Sequence, residues 1–334
     1  MTAAVDESRN EYWGTSMPAI YLTEDDVREL LDVATAIPLV EAAFRGLADG
    51  KANNVPRARA FAKGIALHTM SAASEYLGFV GWKVYTTTRR GARFHVGLSE
   101  IASGELVALI EADYLGQVRT GSASGVATES MARADARTVG LFGTGKQART
   151  QLKAVCNVRH IERAEVYSRN AERREKFAAE MSEFCGTRVV AVHSPQEAVR
   201  EKDIVICATT SDVPLFEGRD LDPGTHLNVV GSNYLTKAEV DVDTIRRADV
   251  IVCDSVEACR REAGDFIAAL EAGVTDWALM HDLGDVVTGR QTGRAHAEQI
   301  TLFKSVGLAI EDVAAGVHVY HRARAENLGQ PCPF

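Results

Sequence analysis

The sequence predicts an α/β protein in which a doubly wound parallel sheet is joined to a second, α+β domain. From Thr138 onward, short apolar runs alternate with stretches of helix-forming residues, a pattern typical of parallel strands linked by helices. Between Ala58 and Ile110, short β-type runs follow one another and are broken by glycines. We therefore predict that residues 133–302 form the parallel-sheet domain, and that residues 1–132 and 303–334 form the other.

The composition limits the possible partners. The chain has 334 residues, of which 46% are hydrophobic, and a formal net charge of −9. An acidic surface disfavours nucleic acid and anionic membranes. No stretch approaches the roughly 18 apolar residues of a membrane span, and the N-terminus lacks the basic start and apolar run of a secretion signal.

The cysteines and histidines indicate neither a disulfide framework nor a metal site. The six cysteines are scattered and form no C-x-x-C pair. This usage is typical of a reducing compartment, so we expect a cytoplasmic protein. His318 and His321 would share a helical face, but a metal site needs three or four ligands. We expect no metal.

The first predicted elements are helices over residues 23–50. Thr23, followed by acidic residues, is a typical N-cap. Apolar residues then recur at helical spacing as far as Leu47. The β-type runs that follow are IALHTM, GFVGWKVYTT, FHVGLSEI and ELVALI. Together these elements predict the α+β domain.

Six later runs are short and apolar enough for buried parallel strands. They are TVGLF, AEVYS, RVVAV, DIVICATT, HLNVVG and ADVIVCD. The run from Glu172 to Phe184 predicts one of the linking helices. The last segment, Leu302 to Asn327, has the pattern of one long amphipathic helix without a sheet partner. We expect it to return to the first domain.

The sequence GTGKQA follows the first of these strands directly and opens a helix pattern. A G-x-G-x-x-A turn between strand and helix is typical of Rossmann-type dinucleotide binding. Gly143 would make the tight turn. Gly145 would let the backbone approach a pyrophosphate at the helix N-terminus, beside Thr144, Lys146 and Gln147. The alternative is a plain β–α turn without a ligand.

The end of the second strand bears on the choice of cofactor. An NAD enzyme usually has Asp or Glu there, which binds the ribose 2′-hydroxyl. Here the strand ends Tyr167-Ser168-Arg169-Asn170, and Arg169 could pair with a 2′-phosphate. NADP(H) is therefore favoured, and NAD(H) stays possible. The alternative is that Arg169 is simply a solvated charge.

Seven segments, in this order along the chain, resemble the ornithine cyclodeaminase/mu-crystallin family. They are Pro56-Arg57, HTM ending at Met70, GWKVYTTT around Lys83, VRTGSASGVAT from Val118, GTGKQARTQL from Gly143, VGSNYLTKAEVD from Val230 and ITLFKSVGLAIEDVAAG from Ile300. The resemblance implies a dinucleotide domain and an α+β domain that binds substrate and builds a homodimer. Bacterial members include ornithine cyclodeaminases, an alanine dehydrogenase, diaminopropionate-forming enzymes and imine reductases.

The resemblance implies that Arg57 and Lys83 bind the substrate carboxylate, and that Arg119 lies between cofactor and substrate. Lys83 also interrupts an apolar run, where an unpaired charge would be costly, and we expect the substrate carboxylate to be its partner. For each basic residue the alternative is a solvated charge, and Arg57 is chosen over Arg59 only by the Pro-Arg match. The other matches on the substrate side are Met70, Lys237, Ser305 and Val306. The cofactor-side matches are Arg119, Lys146, Gln147, Ser168, Thr209, Val230, Gly231, Ser232 and Asn233.

Two departures from the family pattern bear on the chemistry. An aspartate that handles a proton in the cyclodeaminases is Asn233 here, and an amide cannot shuttle protons near neutral pH. A second acidic position is His68, which could be an acid or a hydrogen-bonded structural histidine. The candidate catalytic residues are Lys83, Arg119, Asn233 and His68.

The leading hypothesis is NAD(P)H-dependent reduction of a cyclic ketimine acid of the pyrroline- or piperideine-2-carboxylate type. This reaction asks mainly that the imine carbon be positioned beside the nicotinamide. Within enzymes, the alternatives are an amino-acid dehydrogenase and a cyclodeaminase. A different class is a ligand-binding protein, because the resemblance extends to mu-crystallin, a ketimine reductase that also binds thyroid hormone.

Overall fold

The computed structural model describes residues 18–332, which form two β-sheets and the helices around them. The chain begins with two helices, α1 (Glu24–Leu30) and α2 (Val33–Ala48). As predicted, Thr23 caps α1: its hydroxyl accepts from the backbone N–H of Asp26, whose carboxylate accepts from the N–H of Thr23. The reciprocal bonds satisfy two amides that a helix start otherwise leaves free.

The first sheet has seven strands, and antiparallel pairs dominate it. Its strands are β1 (Ile20–Leu22), β2 (Ala52–Ala62), β3 (Ile65–Ser74), β4 (Phe79–Thr88), β5 (Gly91–Glu100), β6 (Leu106–Glu111) and β15 (Gln330–Pro331), in the order β15-β1-β6-β5-β4-β3-β2. The predicted β-type runs from residue 58 to 110 all lie in it. Side chains alternate between its faces: His68 and Met70 are buried on β3, whereas Ile65 and Leu67 are exposed.

Helix α3 (Asp113–Met131) leads to the second sheet, whose eight strands are all parallel. The strands are β7 (Thr138–Phe142), β8 (Arg163–Tyr167), β9 (Arg188–Ala191), β10 (Ile204–Cys207), β11 (His226–Val229), β12 (Val250–Cys253), β13 (His281–Asp282) and β14 (Thr301–Lys304), in the order β13-β12-β14-β11-β10-β7-β8-β9. The six predicted runs form six of these strands, and the α/β, doubly wound prediction is confirmed.

The linking helices lie between these strands. They are α4 (Lys146–Val158), α5 (Ala171–Cys185), α6 (Val242–Arg247), α7 (Val256–Glu262), α8 (Ile267–Glu271) and α9 (Leu283–Val287). Helix α5 contains the predicted run from Glu172 to Phe184. No helix within residues 18–332 is long and apolar enough to cross a membrane. No group of three or more His, Cys, Asp or Glu within the same residues could hold a metal ion.

The C-terminal segment corrects one prediction. Leu302–Lys304 was predicted to begin a helix, but it lies in β14, between β11 and β12 in the parallel sheet. All four residues of β14 are buried, and a short apolar run fits a buried strand as well as a helix. The helix, α10 (Ala309–Glu326), starts only after Gly307, whose φ is +84°. It packs across β2 to β5 of the first sheet.

The predicted domain boundary after residue 302 falls inside β14. The chain therefore leaves the parallel sheet two residues later, after Lys304. The division into two domains stays a prediction, and its terminal portions, residues 1–17 and 333–334, lie outside the described residues.

Candidate active site

The glycine turn after β7 has the shape that a dinucleotide requires. Gly143 has φ +110°, and a Cβ there would lie 2.3 Å from the carbonyl oxygen of Ala208, so only glycine fits. At Gly145 a Cβ would meet nothing within 4 Å, which leaves open space in front of the backbone. Gly145 is also the N-cap of α4, and no side chain of the described residues caps it. Free amides beside open space suit a pyrophosphate.

The predicted cofactor residues at the end of β8 lie next to this turn. The Thr144 hydroxyl lies 3.5 Å from the Ser168 hydroxyl, which donates to the carbonyl of Asn170. Arg169 is exposed. Glu165, earlier in β8, pairs with Lys202 at 2.6 Å, so the only carboxylate of this strand is already engaged. The place expected for the adenosine ribose, at the end of β8, therefore has the cation Arg169 beside it and no free carboxylate from β8.

A pocket of about 450 Å³ lies between the two sheets. Eleven of the predicted site residues line it, although they come from five strands or loops and two helices. They are Arg57, His68, Lys83, Arg119, Gln147, Val230, Gly231, Ser232, Asn233, Ser305 and Val306. The pocket thus joins the predicted substrate side to the carboxyl ends of the parallel strands.

Other predicted residues lie outside the pocket wall. Met70 is buried and directly opposite Lys83 in the β3–β4 register. The Lys237 ammonium lies 3.5 Å from the carbonyl of Thr210, at the rim. Lys146 is exposed and pairs with Asp113 at 2.5 Å. Thr209 precedes the pocket residue Thr210, and the turn residues Gly143, Thr144 and Gly145 lie with Ser168 and Arg169 at the adjoining edge of the sheet.

Three of the predicted cations, Arg57, Lys83 and Arg119, are paired with carboxylates of the protein itself, which corrects the expectation for Lys83. Lys83 is buried and its Nζ lies 2.7 Å from Asp312 Oδ1. Arg119 Nε donates to the same oxygen at 3.0 Å, and its Nη1 donates to Glu311 at 2.8 Å. Any substrate carboxylate would thus be a second anion for Lys83. Asp312 Oδ2, also buried, has no hydrogen-bond partner among the described residues.

Burial and these pairs set the protonation states. Burial lowers the pKa of Lys83 to about 8, although Asp312 opposes the shift. Burial raises the pKa of Glu311 to about 7, with Arg119 opposing. Asp312 and Glu311 together overcome the burial of Arg119 and raise its pKa above the usual value. Lys83 is therefore mostly cationic at neutral pH, but close to the pH at which it loses its proton.

A second group of ion pairs lies beside the first. Glu262 pairs with both Arg57 and Arg59. Arg57 also donates to the carbonyl of Val306 at 2.9 Å. Arg57, Lys83 and Arg119 line the pocket, whereas the carboxylates that pair with them, Glu262, Glu311 and Asp312, do not. Three cations at the pocket wall favour an anionic ligand.

His68 is buried and stacks on Tyr85, with ring centroids 4.1 Å apart. Arg59 donates to its Nδ1 at 3.3 Å, so the proton is on Nε2, which donates to the Thr87 hydroxyl at 3.0 Å. Burial, with Arg59 and Arg57, lowers the pKa of His68 to about 4. The ring is neutral near pH 7, which favours the hydrogen-bonded structural interpretation over a cationic acid.

Sequence reasoning missed the carboxylates. The motif from Ile300 contains Glu311 and Asp312, but their positions in a helix do not say which cation they meet. The signal was present in part: a lysine within an apolar run needs an anionic partner, and acidic residues inside an apolar helix need cations. Asp254 was also missed. Its Oδ2 accepts from Ser305 Oγ and the backbone N–H groups of Val306 and Gly307, which fixes that wall of the pocket.

Comparisons with known proteins support this picture. The chain is 35% identical over 273 residues to a Δ1-pyrroline-2-carboxylate reductase of Bacillus cereus. The matched region covers 79% of this chain and 84% of that protein. The structure of the Thermococcus litoralis Δ1-pyrroline-2-carboxylate reductase, in complex with NADH and L-proline, has a TM-score of 0.90 and 35% identity, covering 94% and 100% of the two chains. An archaeal alanine dehydrogenase dimer with bound NAD has a TM-score of 0.89 and 30% identity, covering 95% and 100%.

The model of the ornithine cyclodeaminase/mu-crystallin family matches residues 18–327, which is nearly the whole chain. The chain belongs to the ornithine cyclodeaminase/mu-crystallin family.

Proposed function

We propose that the protein is an NAD(P)H-dependent oxidoreductase that reduces a cyclic α-imino acid of the pyrroline- or piperideine-2-carboxylate type. The observation that carries the proposal is the pocket itself, in which Arg57, Lys83 and Arg119 line a space that extends to Gln147, in the first turn of the helix that follows the glycine turn. Its similarity to two reductases of pyrroline-2-carboxylate, one of them in complex with NADH and L-proline, supports the choice of substrate.

The reaction adds a hydride to the imine carbon, and the nitrogen carries a proton from the start or gains one. The cyclic imino acid becomes a cyclic amino acid, and NAD(P)H becomes NAD(P)+. The cofactor supplies the hydride. Gly143 and Gly145 would cradle its pyrophosphate, with Ser168 and Arg169 near the adenosine ribose. Gln147 and the wall from Val230 to Asn233 would lie along the rest of the dinucleotide.

The protein's contribution is to bind and orient the imino acid. Arg57 and Lys83 would hold its carboxylate, and Arg119 would lie between substrate and cofactor. Asp312 holds both Lys83 and Arg119, which limits their movement before substrate arrives. Positioned charges of this kind lower the cost of orienting the reactants. The candidate catalytic residues are therefore Lys83 and Arg119, with His68 and Asn233 shaping the wall.

Asn233 favours reduction over deamination with ring closure. It lines the pocket where the cyclodeaminases have an aspartate, and its own carbonyl accepts from Arg59 at 2.9 Å. An amide there cannot act as an acid or a base near pH 7.

The second candidate, an amino-acid dehydrogenase, is favoured by the likeness to the archaeal alanine dehydrogenase.

A cofactor-oxidation assay separates these functions. Purified protein is given NADH or NADPH with a cyclic imino acid, or with pyruvate in the presence and absence of ammonia. In a separate reaction it is given NAD+ or NADP+ with ornithine, because deamination begins by passing a hydride to the oxidised cofactor. We expect turnover of the cyclic imine without added ammonia. Turnover of pyruvate only with ammonia would support a dehydrogenase, and ammonia released from ornithine would support a cyclodeaminase. Ligand binding without turnover of any of them would support a binding protein.

We further propose NADP(H) as the preferred cofactor, since Arg169 lies two residues after the end of β8 and the strand offers no free carboxylate for a ribose 2′-hydroxyl. NAD(H) stays possible, because the similar reductase and dehydrogenase were solved with NADH and NAD.

We also propose a cytoplasmic location, because the six cysteines are free thiols, as is typical of proteins in a reducing compartment.

We also propose a homodimer formed through the outer face of the seven-stranded sheet. Ile65, Leu67 and Val80 are exposed there, on the face opposite the pocket. Trp82, on the same face of β4, lies over Gly97 of β5. Exposed apolar side chains on one sheet face are typical of an interface. The archaeal alanine dehydrogenase dimer, similar over 95% of this chain, supports the assignment.

A further inference from the structure

The wall of the pocket from Gly231 to Asn233 is held from behind by three charged side chains. Glu239 accepts from the backbone N–H of Gly231 at 2.7 Å. Lys304 donates to the carbonyl of Ser232 at 2.8 Å, and Arg59 donates to that of Asn233 at 2.9 Å. The backbone of three successive residues, Gly231, Ser232 and Asn233, therefore binds three different charged side chains.

Glu239 also binds the neighbouring loop. Its Oε1 accepts from both the backbone N–H and the hydroxyl of Thr209, at 2.8 and 2.7 Å. A Cβ at Gly231 would lie 2.4 Å from the same oxygen, so the contact leaves room only for glycine. One carboxylate thus joins the loop after β10 to the loop after β11.

Lys304 completes the network. It is fully buried at the end of β14, and its Nζ lies 2.7 Å from Asp265 Oδ2. Asp265 in turn accepts from the backbone N–H of Glu239 at 2.6 Å. Burial alone would lower the pKa of Lys304, but Asp265 and Glu239 raise it above the usual value, so the cation persists.

An apolar residue would serve the core at least as well in this position, because a buried ion pair recovers little more than the cost of removing both charges from water. The network touches the pocket only through the peptide groups it holds. Those groups lie at the carboxyl ends of β10 and β11, the half of a doubly wound sheet that receives the second nucleotide of a dinucleotide. In a nicotinamide dinucleotide bound through Gly143, that half holds the nicotinamide.

We propose that Glu239 and Lys304 are positioning residues that hold Thr209, the Gly231 N–H and the Ser232 carbonyl against the nicotinamide half of the bound cofactor. The proposal rests on the proposed function, since it needs a dinucleotide in the site. Neither side chain contacts the cofactor in this arrangement. They act through the backbone, which sets the distance between nicotinamide and imino acid.

The test separates the two halves of the cofactor. Glu239→Gln keeps the shape of the side chain but replaces one acceptor oxygen with an NH2 group. That group then faces a donor from Thr209 or Gly231. Binding of NADPH and of 2′-phospho-ADP-ribose, which lacks the nicotinamide, is measured by calorimetry on the full chain; NADH and ADP-ribose replace them if the wild type prefers NAD(H). We expect the affinity for NADPH to fall about tenfold or more and the affinity for 2′-phospho-ADP-ribose to stay unchanged. In the enzyme assay, kcat should fall by a larger factor than the factor by which the KM for the imino acid changes.

Asp203→Asn is the matched control. Asp203 also accepts from two backbone N–H groups and a threonine hydroxyl, those of Arg137 and Thr138, but at the amino edge of the parallel sheet. The Asp203→Asn variant should have a lower melting temperature but should bind NADPH and 2′-phospho-ADP-ribose as the wild type does. If Glu239→Gln does not fold, Glu239→Asp keeps the charge beside Lys304 and withdraws the carboxylate by about 1.5 Å, one C–C bond. It should show the same split.

Two results would overturn the proposal. One is unchanged NADPH binding in the folded Glu239 variant. The other is an equal loss for NADPH and the fragment, which would mean a general structural role. Failure of the wild type to bind NADPH or NADH is a different outcome: it would remove the proposed function itself, and this proposal with it.

Discussion

Lys83 and Asp312 form a buried ion pair, with 2.7 Å between Nζ and Oδ1, although 229 residues separate them in the chain. Asp312 lies on α10 and Lys83 on β4, so the pair joins the C-terminal helix to the first sheet. Arg119 binds the same carboxylate oxygen from α3. One carboxylate therefore orients both cations that we place at the substrate.

Lys83→Met should abolish most of the activity. Loss of a desolvated charge that binds the substrate carboxylate costs about 3 kcal/mol, which is roughly a hundredfold in kcat/KM for the imino acid. NADPH binding should be nearly unchanged, because Lys83 lies on the substrate side. The melting temperature should fall, since Asp312 keeps only Arg119 as a cation.

Lys202→Met is the control for Lys83→Met. Lys202 forms a comparable, largely buried pair with Glu165 in the parallel sheet, at 2.6 Å. Its loss should also lower the melting temperature but leave kcat/KM close to the wild-type value. If Lys83→Met folds, binds NADPH and turns over a confirmed substrate at the wild-type rate, the assignment of Lys83 is wrong.

Asp312→Asn should shift the pH dependence of kcat/KM. Burial lowers the pKa of Lys83 to about 8, and Asp312 opposes that shift. Activity of the wild type should fall as the pH rises through about 8, because neutral Lys83 no longer attracts the carboxylate. Without Asp312 the pKa drops further, so the fall should begin at lower pH. Ionisation of the substrate affects both enzymes equally and cancels in the comparison.

Glu311→Gln is the control for this shift. It removes a carboxylate that pairs with Arg119 and not with Lys83, so the alkaline limb should stay near its wild-type position. An identical alkaline limb in Asp312→Asn and the wild type would show that Lys83 does not control it.

Arg169→Asp should reverse the cofactor preference. The change removes a cation from the ribose position and adds a carboxylate that can bind a 2′-hydroxyl. A charge-assisted hydrogen bond contributes about 1.5–3 kcal/mol, so the ratio of the Kd for NADPH to that for NADH should rise at least about tenfold. Fluorescence titration measures both constants. Arg188→Asp, at the amino end of β9, makes the same charge change elsewhere and should leave the ratio alone.

Leu67→Glu should convert a dimer into monomers. Its side chain lies on the outer face of the seven-stranded sheet, and a buried carboxylate at an interface is costly. Light scattering at micromolar concentration should give twice the chain mass for the wild type and the single chain mass for the variant. Phe184→Glu, also exposed but on α5, should stay dimeric. A monomeric wild type would contradict the proposed interface.

Local patterns in the sequence were sufficient for much of this protein. Alternation of apolar runs with helical stretches determined the parallel sheet, and the position of Gly143 directly after a strand determined the turn, because both depend on neighbours in the chain. Thr23 and its acidic neighbours determined the start of α1 for the same reason. Lys83 could be singled out because a charge within an apolar run must be buried with a partner.

Only the tertiary structure decided which residue is the partner of Lys83. Asp312, Glu262 and Glu311 meet their cations across long stretches of chain, and nothing local distinguishes such a carboxylate from a solvated one. The strand β14 was hidden for a related reason: a run of four fully buried residues has no face, so its periodicity does not tell strand from helix until its neighbours β11 and β12 are placed beside it. The pocket and its charge balance exist only where these distant segments converge.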